Sequence, residues 1–288
     1  MTVSPIASVL RDAWDQESVW SQAASRLKRS VARTRSATLG LTILSAVLST
    51  AAAVVGLGEP GGKWLVFGAS AAAGLAAVGH ILAVGKAVQP WTRARSVSEA
   101  IKSEVYTYLT CAGDYALDGR DDVLEARVAA FEKDAADLLP SDITPKPRET
   151  PAVNDAGSFA RLRVTAQVDE YYKPNAADLD RKIKAARGVE IGLAITGALI
   201  AAAAGTWEID DLAIWVPVVT TVSAAIAAHA AAERYEFLRL EYSRTARELE
   251  HLLSRWKRSR LSDDEFVMQC ESVISVQNEA WMAKLTEE

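Results

Sequence analysis

Two stretches of this chain, residues 37–57 and 64–85, run the length of a bilayer crossing with His80 as their one ionisable side chain. Two more, 189–207 and 212–232, do the same with only Glu190 and His229. A helix needs roughly 20 apolar residues to cross hydrocarbon, so each stretch can span. The third, uncharged only from 191 onward, is the shortest. The four come in two pairs with short connectors. An ungapped shift of 149 residues lays one pair on the other, carrying Gly56 onto Gly205, Glu59 onto Glu208, His80 onto His229, Arg95 onto Arg244 and Glu99 onto Glu248. The expected fold is all-α and integral to the membrane, with four transmembrane helices as two repeated hairpins carrying long helical stalks. The alternative is a soluble bundle, since 51–53 and 201–204 are Ala runs of mild hydrophobicity. Against it, charge is nearly absent inside the runs and dense just outside them, which a core helix with a solvent face does not show.

The flanks set the orientation. Arg26, Lys28, Arg29, Arg33 and Arg35 precede the first span and Lys86, Arg93 and Arg95 follow the second. The second hairpin repeats this, with Arg181, Lys182, Lys184 and Arg187 before it, Arg234 and Arg239 after it, and Glu208, Asp210 and Asp211 in its connector. Positive residues stay inside, so both termini and the stalks are expected in the cytoplasm. The first thirty residues are polar and amphipathic, which gives no cleavable signal peptide. Cys111 and Cys270 are not equivalent under the repeat, so reduced thiols are expected. A net charge of -5 argues against nucleic acid as a partner.

Along the chain, 6–36 read as an amphipathic helix running into the first span, with Pro90 predicted to kink the exit from the second. An apolar face follows through Val97, Ile101, Val105 and Tyr108. The segment 111–120 reads as a turn, and a helix runs from Asp121 to about 139. The Pro-rich linker covers 140–157, separating a first repeat at 1–139 from a second at 158–288. In the second repeat an entry helix at 159–173 and 176–184 is interrupted at Pro174 and Asn175, and 233–259 continues the last span. Ser262 and Glu265 form a capping box that opens a final helix to about 283.

The repeated two-span unit, the basic entry helix with Trp14 and Trp20, and the segment RARSVSEAIKSEVYTYL at 93–109 together resemble the SLATT family. Tyr171, Tyr172 and Lys173, Cys270–Glu271–Ser272, and Glu279 to Met282 with Trp281 add to the resemblance. It covers nearly the whole length and looks like a tandem of two different SLATT subtypes. It implies a pore-forming or membrane-perturbing effector of bacterial conflict systems, associated with SMODS nucleotidyltransferases and SLOG proteins and lodged in the bacterial plasma (inner) membrane. A nucleotide-derived signal or a cytosolic sensor protein is the implied trigger, and no separate sensor domain is evident in this chain.

The residues that could carry function are few. His80 and His229, near the cytoplasmic ends of their spans, are pore-lining or pH-sensing candidates against a reading as interfacial, helix-bonding histidines. Glu190 could bind a cation or pair with His229, against snorkelling or pairing with Arg187. Arg95 with Glu99, and Arg244 with Glu248, have the i,i+4 spacing of ion pairs on a solvated helix face, and could ring a vestibule mouth if several stalks enclose one. Phosphate-cradling Gly loops, metal-ligand spacings and a nucleophile beside a base are all missing, so no enzyme, metal or cofactor is expected. Four spans are too few for a conducting path in one copy, so the first reading is a homo-oligomeric channel gated through its stalks. The second is a non-conducting scaffold offering stalk faces at Trp14, Trp20, Ile101, Leu252 and Trp256. A transporter is third, hinted at only by Pro217.

Overall fold

The computed structural model describes residues 5–83, 88–133, 135–138 and 143–286. Lys86 and Pro140 lie outside the described residues, as do the side chains of Asp210, Asp211 and 276–286, which include Glu279, Trp281 and Met282. Regular structure is helical throughout the described residues, without a strand.

Helix α1 (Pro5–Val55) is a single rod containing the expected entry helix and first span. Within it the Thr34, Thr38 and Thr42 hydroxyls each donate to the carbonyl four residues earlier, at 3.1, 2.9 and 2.9 Å. That is how a hydroxyl is satisfied where water is absent. Gly56, at φ +90, ends the rod in the left-handed region, and α2 (Pro60–Ala83) starts on a proline whose missing N–H is not needed there. The connector is tight enough that a Cβ on Gly62 would strike the Gly56 carbonyl.

Pro90 lies near the start of the described part of α3 (Val88–Thr110), and the residues before it, 84–87, on which the expected kink depends, lie outside the described residues. The expected turn follows, with Cys111, Gly113 and Gly119 at positive φ, before α4 (Arg120–Lys133). That helix stops short of the expected 139, and a 3₁₀ turn occupies Ala136–Leu138.

The second repeat departs from expectation in three places. The chain is helical without interruption from Ala156 to Trp207, as α5 (Ala156–Phe159), two π-helical segments at Ala160–Thr165 and Gln167–Tyr172, and α6 (Lys173–Trp207). Pro174 does not break it, because the wider π turns ahead of it relieve the clash with the preceding carbonyls that an α-helix would impose. The fourth span is split into α7 (Asp210–Ala213) and α8 (Val216–Ala232), and Pro217 lies in the first turn of α8, not at the midplane. Finally, α9 (Tyr235–Lys257) does not continue α8, since Arg234 at φ +50 forms a left-handed joint between them. Helix α10 (Asp263–Thr286) begins on the expected capping box, Ser262 Oγ accepting from the Glu265 N–H at 3.2 Å and Glu265 from the Ser262 N–H at 2.9 Å.

The helices form two compact units that cut across the repeats. Unit 1 comprises 1–29, 85–176 and 240–288, and unit 2 comprises 30–84 and 177–239, so each takes segments from both repeats. Both α1 and α6 are unbroken at the unit boundary.

Unit 1 has an ordinary buried core. Helix α3 packs against α4 and α10 and encloses Ile101 and Val105, with Trp20, Leu124, Phe159, Leu249 and Phe266 filling the rest. Tyr106, Phe159 and Phe266 meet edge-on, and Trp256 stacks on Phe266 at 4.7 Å between centroids. The linker at 143–155 lies along α1, where the Glu149 carbonyl accepts from Trp14 Nε1 at 2.9 Å and Ser18 Oγ accepts from the Lys146 N–H at 3.1 Å.

Unit 2 is built the other way round. Its buried residues are mostly small, Ala52, Ala69, Ala72, Ala76, Gly197 and Ala204 beside Val31, Thr50, Leu179 and Val218, while Leu57, Trp64, Phe67, Ile81, Leu199 and Trp207 stand more than 60% exposed. Water would penalise such a surface heavily, whereas hydrocarbon does not, and small residues inside allow close helix packing. In the first hairpin, Gly79 abuts Thr38, and Ser45 Oγ donates to the Ala69 carbonyl at 2.9 Å. The unit holds four helices long and apolar enough to cross a membrane, and the chain is a multi-pass membrane protein.

Candidate functional site

In unit 2 the three ionisable candidates stay apart. His80 is exposed on the outer surface of α2, and His229 is half-buried on α8. Glu190 is half-buried on α6. None of the three pairs with another, and Glu190 makes no ion pair with Arg187, among the described residues. The pair that does form at this end is Arg35 on α1 with Glu233, at 3.2 Å, where Arg35 also donates to the Ala232 carbonyl at 3.1 Å. It ties the first span to the end of the last.

Glu190 instead faces a groove of about 470 Å³ between α6 and α8. Arg187, Arg234 and Glu236 line it with Glu190, two guanidiniums against two carboxylates, and Ala186, Ala227, Ala230 and Ala231 supply apolar walls.

In unit 1 the two Arg–Glu pairs of the repeat part company. Arg95 and Glu99 meet at 2.8 Å, but Glu99 is only 6% exposed, so the expected solvated face is in fact interior. Helix α3 turns this side toward the unit's own helices: the Arg95 guanidinium lies 6.0 Å from the Tyr171 ring centroid, and Tyr171 contacts Tyr242 edge-on at 5.7 Å. A carboxylate so enclosed cannot ring a vestibule from this position. Arg244 and Glu248 are both exposed and are not paired with each other, among the described residues.

Around Glu99 lies a network that spacing alone did not reveal. Lys102 on α3 bridges Glu99 and Glu17, at 3.4 Å from each. Glu17, 1% exposed, also accepts from Ser98 Oγ at 3.0 Å and pairs with Arg148 of the linker, whose guanidinium stacks 3.6 Å from the Trp14 ring centroid. Farther along, Arg163 and Glu271 form a bidentate pair at 2.8 and 2.9 Å, with Arg163 also 4.6 Å from the Tyr106 ring centroid. Burial alone would raise the Glu99 carboxyl, but Lys102 and Arg95, with Arg163 behind them, outweigh it and hold it at about 2. Burial likewise would lower the Arg163 guanidinium, and Glu271 more than reverses this. One signal for the network was present in the sequence: Glu17 shares a helix face with Ala13, Trp20 and Ala24, all buried.

Residues 159–281 match the family model for the SMODS and SLOG-associating 2TM effector domain 1, SLATT_1. The second half of this chain is a SLATT domain. Residues 18–121 match a different model, described only as a protein of unknown function, DUF4231. No curated protein and no solved structure matches the chain. Of the expected tandem of two SLATT subtypes, the second is matched as SLATT_1 and the first only by the DUF4231 model. SLATT domains are effector domains of bacterial conflict systems. The Arg163–Glu271 pair and the groove with Glu190 belong to the SLATT segment, while Arg95, Glu99 and Lys102 belong to the DUF4231 segment.

Cys111 is exposed and Cys270 buried, where burial raises its thiol out of the reactive range. A membrane-impermeant maleimide is therefore expected to label Cys111 alone. In sealed inside-out vesicles labelling proceeds without detergent, and in intact spheroplasts it requires permeabilisation. Labelling of intact spheroplasts would reverse the expected topology.

Proposed function

We propose that this protein is a homo-oligomeric channel or pore-forming effector of the bacterial inner membrane, gated through unit 1, with both termini in the cytoplasm. His80 carries the reading. An ionisable side chain on the outward surface of a span is costly against lipid, and the cost is relieved where a second copy or a water-lined path covers it. The interior of unit 2 is mostly small residues that allow close helix packing, which leaves no room to conduct within one copy, so several copies share the path. Unbroken α1 and α6 make coupling mechanical, because displacing either helix in unit 1 tilts or rotates its span. The trigger is a nucleotide-derived ligand or a sensor protein received by unit 1, and no chemistry is catalysed.

The scaffold reading has lost its surface. It relied on outward faces at Trp14, Trp20, Ile101 and Leu252, each at most 8% exposed, and Trp256 is stacked on Phe266.

Reconstituted protein is expected to give discrete single-channel currents in a planar bilayer and to run as a closed oligomer in detergent. His80→Leu is expected to change oligomer size or conductance. Silence of the wild-type protein with and without candidate nucleotides, combined with a monomer in detergent, would sink the proposal.

A further inference from the structure

Inside unit 1, α1 and the linker enclose a pocket of about 500 Å³, within the roughly 300–1,000 Å³ of small-ligand pockets. Ser18, Ser21, Gln22 and Ser25 give its α1 side hydroxyl and amide groups, and basic side chains complete the lining from both elements. Every lining residue is polar and none is acidic, among the described residues. Glu17, the neighbouring carboxylate on α1, is buried against Lys102 and Arg148 and does not line the pocket. Of the bases, Arg148 is spent on Glu17 and Arg26 is engaged as well, so neither is counted. Lys28, Arg29 and Lys146 remain, and none of the three makes an ion pair among the described residues. Arg29 Nε donates to the Ser25 carbonyl at 3.2 Å, and Lys28 Nζ lies 5.7 Å from the Trp91 ring centroid. The walls are fixed in advance, because Gln22 Nε2 donates to the Thr144 carbonyl at 3.0 Å and the Lys146 N–H donates to Ser18 Oγ at 3.1 Å. A bias of positive residues toward the inside accounts for bases beside a span, but not for hydroxyls and linker bases gathered round one cavity.

We propose that this pocket binds a phosphate-bearing ligand of two or more negative charges, either a free oligophosphate or a lipid headgroup ending in a phosphomonoester. Arg29 holds phosphate oxygens through its terminal N–H groups, Lys28 and Lys146 supply charge, and the Ser21 and Ser25 hydroxyls donate to the oxygens that remain. The assignment follows from charge and lining together. Three uncommitted cations without a compensating carboxylate call for more than one negative charge, and hydroxyls beside a guanidinium suit the many oxygens of phosphate groups. No aromatic or apolar side chain lines the pocket, among the described residues, so it offers no platform for a base and no wall for an acyl chain. A bound phosphate links Arg29 of α1 to Lys146 of the linker, so binding stabilises the folded chain.

Two probes test the site and separate its two sources. Thermal unfolding of the full chain in detergent is followed against tripolyphosphate, with chloride holding the ionic strength constant. Native mass spectrometry of the chain released from detergent with equal amounts of phosphatidic acid and phosphatidylglycerol reads the headgroup. A saturable rise in Tm with tripolyphosphate assigns the pocket to a free oligophosphate, and preferential retention of phosphatidic acid assigns it to a lipid. In either case Arg29→Gln combined with Lys146→Gln is expected to weaken the response by about tenfold or more, whereas Lys257→Gln, at an exposed lysine outside the pocket, leaves it unchanged. Should the double variant fail to fold, Ser21→Asp sets a carboxylate in the lining and is expected to abolish the response. No response to either probe, or a response that survives both the double variant and Ser21→Asp, would overturn the assignment. None of these outcomes depends on whether the protein conducts.

Discussion

Replacing Glu271 with alanine is expected to destabilise unit 1 by about 3–5 kcal/mol, whereas exchanging Arg163 and Glu271 together for methionine and leucine is expected to leave it as stable as the wild type or more so. Arg163 is 1% exposed, and its guanidinium is held by both oxygens of one carboxylate. Deleting that carboxylate strands a charge among Tyr106, Phe159 and Phe266, where water cannot reach it. Removing both charges removes the desolvation penalty along with the attraction. Denaturation of the detergent-solubilised protein, followed by the fluorescence of Trp20 and Trp256, reads both variants. A Glu271→Ala loss below about 1 kcal/mol would show that the pair is wetter than its burial indicates.

The second large effect is on pH dependence. The Glu99 carboxyl is held at about 2 in the folded chain, against an ordinary value of 4.5. A depressed carboxyl contributes stability that is fully present above about pH 4.5 and is lost as pH falls toward 2. The contribution at neutral pH is roughly 3 kcal/mol, since each pH unit between the two values is worth about 1.4. Stability measured between pH 7 and pH 3 is expected to fall steeply in the wild-type protein and only shallowly in Glu99→Gln. The residual slope belongs to exposed carboxylates such as Asp137, held low by Arg93, and Asp155, held low by the Ser158 N–H. An unchanged slope in Glu99→Gln would remove Glu99 from the account.

The spans were legible because composition alone determines them: a run without charge can only be buried or placed in lipid, and four in pairs favour lipid. The capping box at Ser262 and Glu265 was legible because its partners lie three residues apart. What depended on distant neighbours was not. The faces of Ile101 and Leu252 read as available surfaces because nothing near them in sequence covers them, yet α3 is closed by α10, which lies far along the chain. Arg95–Glu99 and Arg244–Glu248 have the same spacing and opposite surroundings, since an i,i+4 rule describes one helix and says nothing about what packs on it. Pro174 read as a break under α-helical geometry, and the π turns at Ala160–Thr165 and Gln167–Tyr172 leave no mark in residue type that would have warned otherwise. The groove needed the α8–α9 joint at Arg234, a left-handed residue that is neither glycine nor asparagine.

The crossing of units over repeats sets an order of events during synthesis. Helix α3 emerges from the ribosome early, with Ile101 and Val105 uncovered, and the helix that covers them, α10, is made only after the second hairpin has been threaded into the bilayer. Through that whole interval the nascent chain carries an apolar face that is attractive to chaperones and proteases. A message cut short or a stalled ribosome leaves the face permanently open. The last helix therefore closes the α3 core only when synthesis is complete, and a partly made chain keeps that apolar face open.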